Sequence, residues 1–240
     1  MIKTSQAIVL GVIKYSDSAS IVKTISQNEG LSSYIVKGLQ SKKNKKQPYF
    51  QPLSIVNIKY IQNLKGGLHH LNTIHWEYVY ESIPFHLYKS SVVMFLAEFF
   101  NKCFNDDVEE PVFNWLKQSL IDFDTTEYHP GFHIELMAQT AQILGFMPHL
   151  NFSETTPYFH LMEGCFVPTN NPENIVLNKA SSKAVYLLFK GTIFDKQKTN
   201  FNYKERKELL IALTKYFQLH LSSFDPPKSL AVLETVLSEK

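Results

Sequence analysis

The sequence has few of the features that mark secreted or membrane-spanning proteins. Its 240 residues include two cysteines, Cys103 and Cys165, which lie too far apart to suggest a disulfide framework. No run approaches the roughly 18 to 20 apolar residues that span a bilayer, because the richest segment, residues 92–100, contains Glu98. The N-terminus has no apolar stretch followed by a small-residue cleavage site. We therefore expect a cytoplasmic protein that makes no membrane contact.

Catalytic and metal-binding motifs are also missing. Neither the G-x-S-x-G elbow of hydrolases nor the G-x-x-x-x-G-K-[ST] phosphate loop occurs. His129 and His133 have the spacing of a helical metal pair, but the glutamate of an HExxH motif is absent. His69, His70 and His75 are predicted to be surface or edge residues, with His69 and His75 on one strand face but too distant to chelate one ion. We therefore expect neither an enzyme nor a bound metal or other cofactor.

Acidic residues are scarce in the first third of the chain. Residues 1–80 contain ten lysines against three acids, a net charge of +7, whereas residues 81–240 carry −5. Five of those lysines lie within residues 37–46, which contain no acid. Such a loop suits binding to a polyanion, since lysine ammonium groups displace counterions from phosphates; a solubilising surface is the alternative. The charge shift near residue 80 predicts two domains, residues 1–80 and 81–240.

Residues 1–80 are predicted to form β-strands. Apolar, β-branched runs separated by turn formers occur at residues 7–14, 19–26, 31–36, 53–61 and 68–76. Five antiparallel strands with one long loop favour a closed Greek-key barrel, an OB-fold, over a sandwich of about seven strands. OB-folds bind single strands through cationic grooves and aromatic platforms. Tyr49 and Phe50, beside the lysine-rich loop, are the candidate stacking residues, whereas core packing is an equal alternative for Tyr34 and Tyr60.

The remainder of the chain is predicted to be helical. Helical periodicity, bounded by proline and glycine, occurs at residues 87–104, 108–121, 130–145, 179–190, 203–220 and 228–237. No internal repeat and no low-complexity linker interrupts it. The fold class is therefore α+β and multi-domain, with a five-stranded OB-fold barrel followed by a helical domain.

Three segments, in consistent order, resemble the RecO family of bacterial recombination-repair mediators. Residues 7–38 followed by 51–60 are similar to the family's N-terminal domain. Residues 132–150 resemble its helix ending in a Leu-Gly-Phe-x-Pro turn, and residues 227–233 resemble its C-terminal element. The resemblance extends from about residue 3 to residue 235 in the same order as in the family.

This resemblance implies a DNA-binding recombination mediator of the bacterial cytoplasm and nucleoid. Family members bind single- and double-stranded DNA through the OB-fold and anneal complementary strands. With the partner RecR, they help to load the RecA recombinase onto DNA coated by single-stranded DNA-binding protein (SSB). The positions expected to contact phosphates are Lys14, Lys37, Lys42, Lys43, Lys45, Lys46 and Lys59.

The sequence departs from the family where many members carry four cysteines as a zinc site. Residues 150–180 contain only Cys165, and a structural tetrahedral site needs four ligands, so no zinc is expected. Residues 156–168 are instead predicted to be held by apolar packing, as a short hairpin turning at Glu163 and Gly164.

Two questions about partners stay open. Lysine does not distinguish ribose from deoxyribose, so an RNA-binding or ribosome-associated OB-fold protein is the alternative function. We also expect the helical domain to bind the acidic C-terminal tail of SSB in an apolar groove rimmed by basic residues. The candidate rims are Lys204, Arg206 and Lys207, or Lys183 and Lys190.

Overall fold

The N-terminal part of the chain forms a closed five-stranded β-barrel. The computed structural model describes residues 1–41, 45–64, 67–104, 108–170, 175–191 and 201–238. The barrel strands are β1 (Ile2–Lys14), β2 (Ala19–Ser26), β3 (Gly30–Lys37), β4 (Ile55–Ile61) and β5 (His69–Trp76). They close in the order β1-β2-β3-β5-β4. The predicted five-stranded OB-fold barrel is therefore confirmed.

One strand pairing differs from the expectation that all pairs are antiparallel. β3 and β5 pair in parallel, with Tyr34 opposite His69 and Ile35 opposite His70. Parallel neighbours need a long connection, and the chain from Lys37 to His69, which contains β4, supplies one. The alternation of apolar residues indicates which face of a strand is buried but carries no information about the direction of its neighbour. The sequence pattern alone therefore could not show this parallel pair.

The first strand is longer than the predicted residues 7–14 and serves two neighbours. It pairs with β4 from Ile2 to Ile8 and with β2 from Ala7 to Lys14, with a bulge between Val9 and Gly11. A bulge bends a strand, which allows one strand to pair on both sides of a small closed barrel. Ala7, Ile8 and Val9 are wholly buried, because both faces of β1 are covered in this region.

Aromatic rings fill the middle of the barrel. Tyr34 and Tyr60 are 1% and 0% exposed and meet edge to face, with ring centroids 5.1 Å apart. They pack with aliphatic side chains of β1, β2, β4 and β5. Core packing, one of the two alternatives for these tyrosines, is therefore what the structure shows.

The chain after the barrel is mostly helical. The helices are α1 (Leu87–Cys103), α2 (Glu110–Thr125), α3 (Phe132–Ile143), α4 (Lys179–Phe189), α5 (Tyr203–His220) and α6 (Ser229–Ser238). Short 3₁₀ helices occur at Gln47–Phe50 and Ile83–Phe85. The bounds agree with the predicted helices to within a few residues. For α5 the agreement follows from a capping box, in which Asn202 and Glu205 bond each other's backbone amides.

Packing divides the chain into two compact units. The first contains Met1–Tyr128 with Pro227–Val236, and the second contains His129–Pro226 with the residues from Leu237. The first unit thus includes the barrel, α1 and α2. The predicted boundary near residue 80 rests on the change in net charge rather than on packing. The division into residues 1–80 and 81–240 stays a prediction.

A buried carboxylate attaches the segment after the barrel to α2. Asp124, 2% exposed, accepts hydrogen bonds from the backbone amides of Glu81 at 2.8 Å and of Ser82 and Ile83 at 2.9 Å. Burial alone would raise the pKa of Asp124, but these amide hydrogen bonds outweigh it and lower the pKa below its ordinary value. The ammonium of Lys89 also donates a hydrogen bond to the backbone carbonyl of Asp124, at 3.0 Å.

The second unit contains the short hairpin predicted in place of a zinc site. β6 (Tyr158–His160) and β7 (Cys165–Val167) pair antiparallel. Phe159 and Phe166 are 1% and 2% exposed, with ring centroids 5.0 Å apart. The side-chain amide of Asn151 both donates to and accepts from the backbone of Phe166, at 2.9 Å each. The predictions of a hairpin turn and of apolar packing are both confirmed.

Candidate nucleic-acid interface

The lysines chosen from the sequence lie on several elements of the first unit. Lys14 ends β1, Lys37 ends β3 and Lys59 lies within β4. Lys45 and Lys46 directly precede the 3₁₀ helix Gln47–Phe50. The two remaining predicted positions, Lys42 and Lys43, lie outside the described residues.

Three of these lysines approach the middle of β5. Lys59 lies opposite Thr73 in the β4–β5 pairing. The ammonium of Lys46 donates a hydrogen bond to the carbonyl of Asn72, at 3.4 Å. On the other side of β5, β3 pairs in parallel, with Ile35 opposite His70. Lys37 ends β3 two residues further along. Because neighbouring strands are about 4.8 Å apart, these side chains extend from one stretch of the barrel wall. We call this stretch, with Lys37, Lys46 and Lys59 and with Lys45 directly before Lys46 in the chain, the β5 flank.

Lysines of the β5 flank have fewer acidic neighbours than Lys3 and Lys14 of β1. Lys3 is 2.6 Å from a carboxylate oxygen of Glu29, and Lys14 is 3.4 Å from one of Asp17. Across the described part of the chain, by contrast, no carboxylate oxygen is within 4.0 Å of the ammonium groups of Lys37, Lys45 and Lys59, which are all exposed. Unbalanced cations on an exposed surface attract phosphates and exchange them for bound counterions.

The two predicted stacking residues occupy different environments. Tyr49 is half-buried and lies against Trp76, with ring centroids 4.6 Å apart. Phe50 is 7% exposed and belongs to the barrel core. A 3₁₀ helix turns about 120° per residue, so consecutive side chains point in different directions and only one of the two can face outward. Phe50 is therefore a core residue rather than a stacking residue.

Trp76, which the sequence suggested only as the end of a strand, is the aromatic partner of Tyr49. It is half-buried at the last position of β5. Its place beside Tyr49 results from the return of the 3₁₀ helix Gln47–Phe50 to the barrel wall, which no local pattern reveals. The one available signal was that tryptophan is rare in this chain, with two residues in 240.

The prediction that His69 is a surface or edge residue is wrong. His69 is 9% exposed, and its ring lies within 5.6 Å of Tyr34 and 5.4 Å of Tyr60, measured between centroids. A bulge in the β4–β5 pairing, where Lys59 opposes Thr73 but Tyr60 opposes Leu71, inserts an extra residue. The extra residue reverses the alternation, so His69 faces the core while His75 is exposed. The two histidines therefore do not share a face.

His69 belongs to a polar cluster at the barrel interior. Its Nε2 atom is 3.4 Å from Glu29, while Nδ1 accepts from the backbone amide of Asn63 at 3.2 Å. Burial would raise the pKa of Glu29, but the hydrogen bond from Lys3 helps to lower it below its ordinary value. This acid, in the turn between β2 and β3, is thus paired with Lys3 and His69.

The basic residues predicted to bind a partner lie on two helices of the second unit. Lys183 is exposed on α4, and the ammonium of Lys190 lies 5.3 Å from the ring centroid of Tyr186. On the first turns of α5, Lys204 is exposed and Lys207 is half-buried. The guanidinium of Arg206, also on α5, donates to the carbonyl of Phe201. The structure thus separates the five candidates into an α4 pair and an α5 group.

Within the described ranges, no three histidine, cysteine, aspartate or glutamate side chains are arranged to hold a metal ion. Over the same residues, the structure contains no helix of sufficient length and apolarity to cross a bilayer.

Comparison with known proteins relates both parts of the chain to one family. The family model described as recombination protein O N terminal matches residues 1–80, and that described as recombination protein O C terminal matches residues 84–231. The chain is 34% identical over 244 residues to DNA repair protein RecO of Flavobacterium psychrophilum, with 99% of each chain covered. It is 32% identical over 240 residues to the protein of that name from Flavobacterium johnsoniae, again with 99% of each covered. For Phocaeicola vulgatus the identity is 27% over 241 residues, covering 99% of this chain and 100% of the relative.

Proposed function

Because this chain belongs to the RecO family of DNA repair proteins, we propose that its barrel binds single- and double-stranded DNA and that the protein anneals complementary single strands. The observation that carries the proposal is the β5 flank on an OB-fold barrel. Its members Lys37, Lys45 and Lys59 are exposed, and no carboxylate of the described residues lies within 4.0 Å of their ammonium groups. Such a surface holds phosphates without selecting a base sequence.

The annealing activity follows from the same charges. Two single strands repel each other through their phosphates, and lysine side chains that neutralise phosphates on both strands lower this repulsion. Pairing then becomes faster while no covalent bond is made or broken, so the proposed activity is not enzymatic catalysis. The effect should weaken as salt rises, because the Debye length falls from about 10 Å at 0.1 M to about 3 Å at 1 M.

Strand annealing by the purified protein is the direct test. Two complementary oligonucleotides are mixed with and without the protein at 50 mM and 500 mM salt, and duplex formation is followed by fluorescence. We expect acceleration at the lower salt that is largely lost at the higher one. An unchanged annealing rate at 50 mM salt would contradict the proposal.

The RNA-binding alternative is separated by a titration. Single-stranded DNA and RNA of the same sequence are compared at two salt concentrations. Tighter binding of DNA, or binding of duplex DNA as well, supports the repair function. Equal or tighter binding of RNA would favour an RNA-binding or ribosome-associated role.

We also propose that the protein acts with RecR to load RecA onto SSB-coated single strands in the bacterial cytoplasm and nucleoid. In this scheme the second unit binds the acidic tail of SSB, and the α4 pair or the α5 group supplies the cations. A labelled tail peptide titrated into the full-length protein tests the idea. Loss of binding in Lys183→Ala/Lys190→Ala, but not in Lys204→Ala/Lys207→Ala, would assign the site to α4, and the reverse would assign it to α5. Failure of the unmodified protein to bind the peptide would remove the proposal.

A further inference from the structure

A cavity of about 600 Å³ opens within the first unit, next to the β5 flank. Its lining comes from four residues between positions 48 and 54, from Trp76 and from nine residues between positions 79 and 94. This volume is within the range of about 300–1,000 Å³ typical of small-molecule sites. Pro48, on its wall, is separated from Lys46 only by Gln47. The cavity and the cationic surface are therefore adjacent.

The walls of the cavity are held rigidly. Leu53, between the lining residues Pro52 and Ser54, has a backbone φ of 56°, which is unfavourable for a residue other than glycine. Its amide donates to the carbonyl of Val9 at 2.7 Å, and its carbonyl accepts from the hydroxyl of Tyr80 at 2.7 Å. The opposite wall, Ile83–Phe85, is fixed by the hydrogen bonds to Asp124. A cavity formed in this way is present before any ligand arrives.

The lining is apolar with a few polar atoms and no charged side chain. At its mouth, Phe85 is 85% exposed and Val79 is 60% exposed, although large apolar side chains are usually covered. Among the lining residues, Ser90 and Ser91 donate hydrogen bonds from their hydroxyls to the carbonyl of Leu87. Their oxygen lone pairs can still accept hydrogen bonds. This chemistry suits a flat, neutral, partly apolar group that carries donors on its edge.

Trp76 connects the cavity to the β5 flank. It lines the cavity, lies against Tyr49, and ends the strand whose middle is surrounded by Lys37, Lys46 and Lys59. A single strand held by its phosphates on these lysines would present its bases to the aromatic rings beside them. Nucleobases are neutral and planar, carry N–H donors on their edges (amino groups on adenine, cytosine and guanine, the N3–H group on thymine), and stack on aromatic side chains.

We propose that this cavity receives one unpaired nucleobase of a single DNA strand whose phosphates lie on the β5 flank. The inference rests on the proposed DNA binding and deepens it. A base within a duplex is stacked and paired and cannot enter, so the cavity gives the protein a preference for single strands beyond simple charge attraction. Pairing of the base with a complementary strand would release it from the cavity.

The test compares an intact 20-nucleotide thymidine strand with a strand of equal length whose residues are all abasic, which keeps the phosphates and removes the bases. Both are titrated against the full-length protein, Phe85→Ala, Val79→Ser and the control Ile211→Ala. Ile211 is 49% exposed on α5 of the second unit and is not among the residues that line the cavity. Phe85 and Val79 are sufficiently exposed that their replacement should leave the unfolding transition unchanged.

We expect Phe85→Ala to bind the thymidine strand roughly five- to tenfold more weakly, the loss of about one stacked base. Val79→Ser should show a smaller loss, and neither variant should differ from the unmodified protein on the abasic strand. Ile211→Ala should behave as the unmodified protein does. Equal affinity of Phe85→Ala and the unmodified protein for the thymidine strand would overturn the inference.

The result also distinguishes this inference from the proposed function. If the unmodified protein binds both strands equally and with a strong salt dependence, DNA binding stands and the cavity proposal falls. If it binds neither strand at low salt, both fall. If Phe85→Ala keeps full affinity for DNA but loses binding of RecR, the cavity is a protein-binding site and not a base-binding site.

Discussion

At the scale of single residues, the buried carboxylate of Asp124 illustrates how one side chain can hold a segment in place. Its oxygens accept hydrogen bonds from three consecutive amides, those of Glu81, Ser82 and Ile83, and from the hydroxyl of Tyr78 at 3.1 Å. An asparagine at this position could accept hydrogen bonds only at its single side-chain oxygen, because its side-chain nitrogen is a donor. The site therefore requires an ionised acid.

We expect Asp124→Asn to lower the free energy of unfolding of the first unit by about 1–3 kcal/mol, since the amide nitrogen of asparagine would leave at least one of the buried backbone N–H donors without an acceptor. The measurement is urea denaturation. The exposed Asp17, which pairs with Lys14, is the matched control, and Asp17→Asn should change stability by less than about 0.5 kcal/mol. Equal stability of the two variants would contradict this role.

The same residue should make stability depend on pH. The folded pKa of Asp124 is lowered, so its contribution is fully present above the unfolded pKa of about 3.9 and is lost as pH falls through the folded pKa. We expect the stability difference between the unmodified protein and Asp124→Asn to be constant from pH 5 to 7 and to shrink below about pH 4. A difference that grows on acidification would have the wrong sign.

The lysines of the β5 flank give a second prediction for individual residues. Each phosphate contact contributes about 0.7 to the slope of log K against log salt for single strands. Lys37→Ala/Lys59→Ala should therefore reduce that slope by about 1.4, with an unchanged unfolding midpoint because both side chains are exposed. Lys14→Ala is the comparison: Lys14 is also a predicted phosphate contact, but its ammonium lies 3.4 Å from a carboxylate oxygen of Asp17, so its loss should change the slope less. An unchanged slope in the double variant would remove these lysines from the interface.

At the scale of secondary-structure elements, the β6–β7 hairpin shows how the second unit is built without a four-cysteine site. Gly164 turns the hairpin with a φ of +62°, and a Cβ atom there would be 3.0 Å from the hydroxyl of Tyr216. That hydroxyl donates to the carbonyl of Phe146 at 2.7 Å. A side chain at position 164 would therefore press on the hydroxyl of Tyr216 and disturb its hydrogen bond to Phe146.

Gly164→Ala should destabilise the second unit by more than its backbone strain alone, which is roughly 1–2 kcal/mol. Gly145→Ala is a matched control because its φ is +82° but nothing lies within 4 Å of the added Cβ atom. Thermal unfolding of the two variants measures the difference. If both variants unfold at the same temperature, the contact with Tyr216 adds nothing to the strain.

At the scale of the whole molecule, DNA binding should appear as added stability. A ligand that binds only the folded state at 100 times its Kd stabilises it by about 2.7 kcal/mol. We expect a thymidine 20-mer at that concentration to raise the unfolding temperature at 50 mM salt, and the shift to disappear at 500 mM salt as the strand dissociates. Lys37→Ala/Lys59→Ala, measured at the same strand concentration, should show a smaller shift.

The sequence determined by itself the features that depend on local pattern and on charge. Strand alternation and turn formers predicted the five barrel strands, and apolar periodicity predicted the helices, with α5 located at Tyr203–His220 as the structure has it. The scarcity of acids predicted a cationic first third. These properties are set by neighbouring residues, so a single sequence contains them.

Tertiary structure alone decided which side chains meet. The parallel β3–β5 pair, the bulge that turns His69 inward, and the division between buried Phe50 and half-buried Tyr49 depend on strands distant in sequence. The cavity behind Trp76 likewise needs residues 48–54 and 79–94 to come together. Local pattern specifies how a segment folds on itself, whereas the direction, register and cover of its neighbours arise only when the barrel closes and the helices pack.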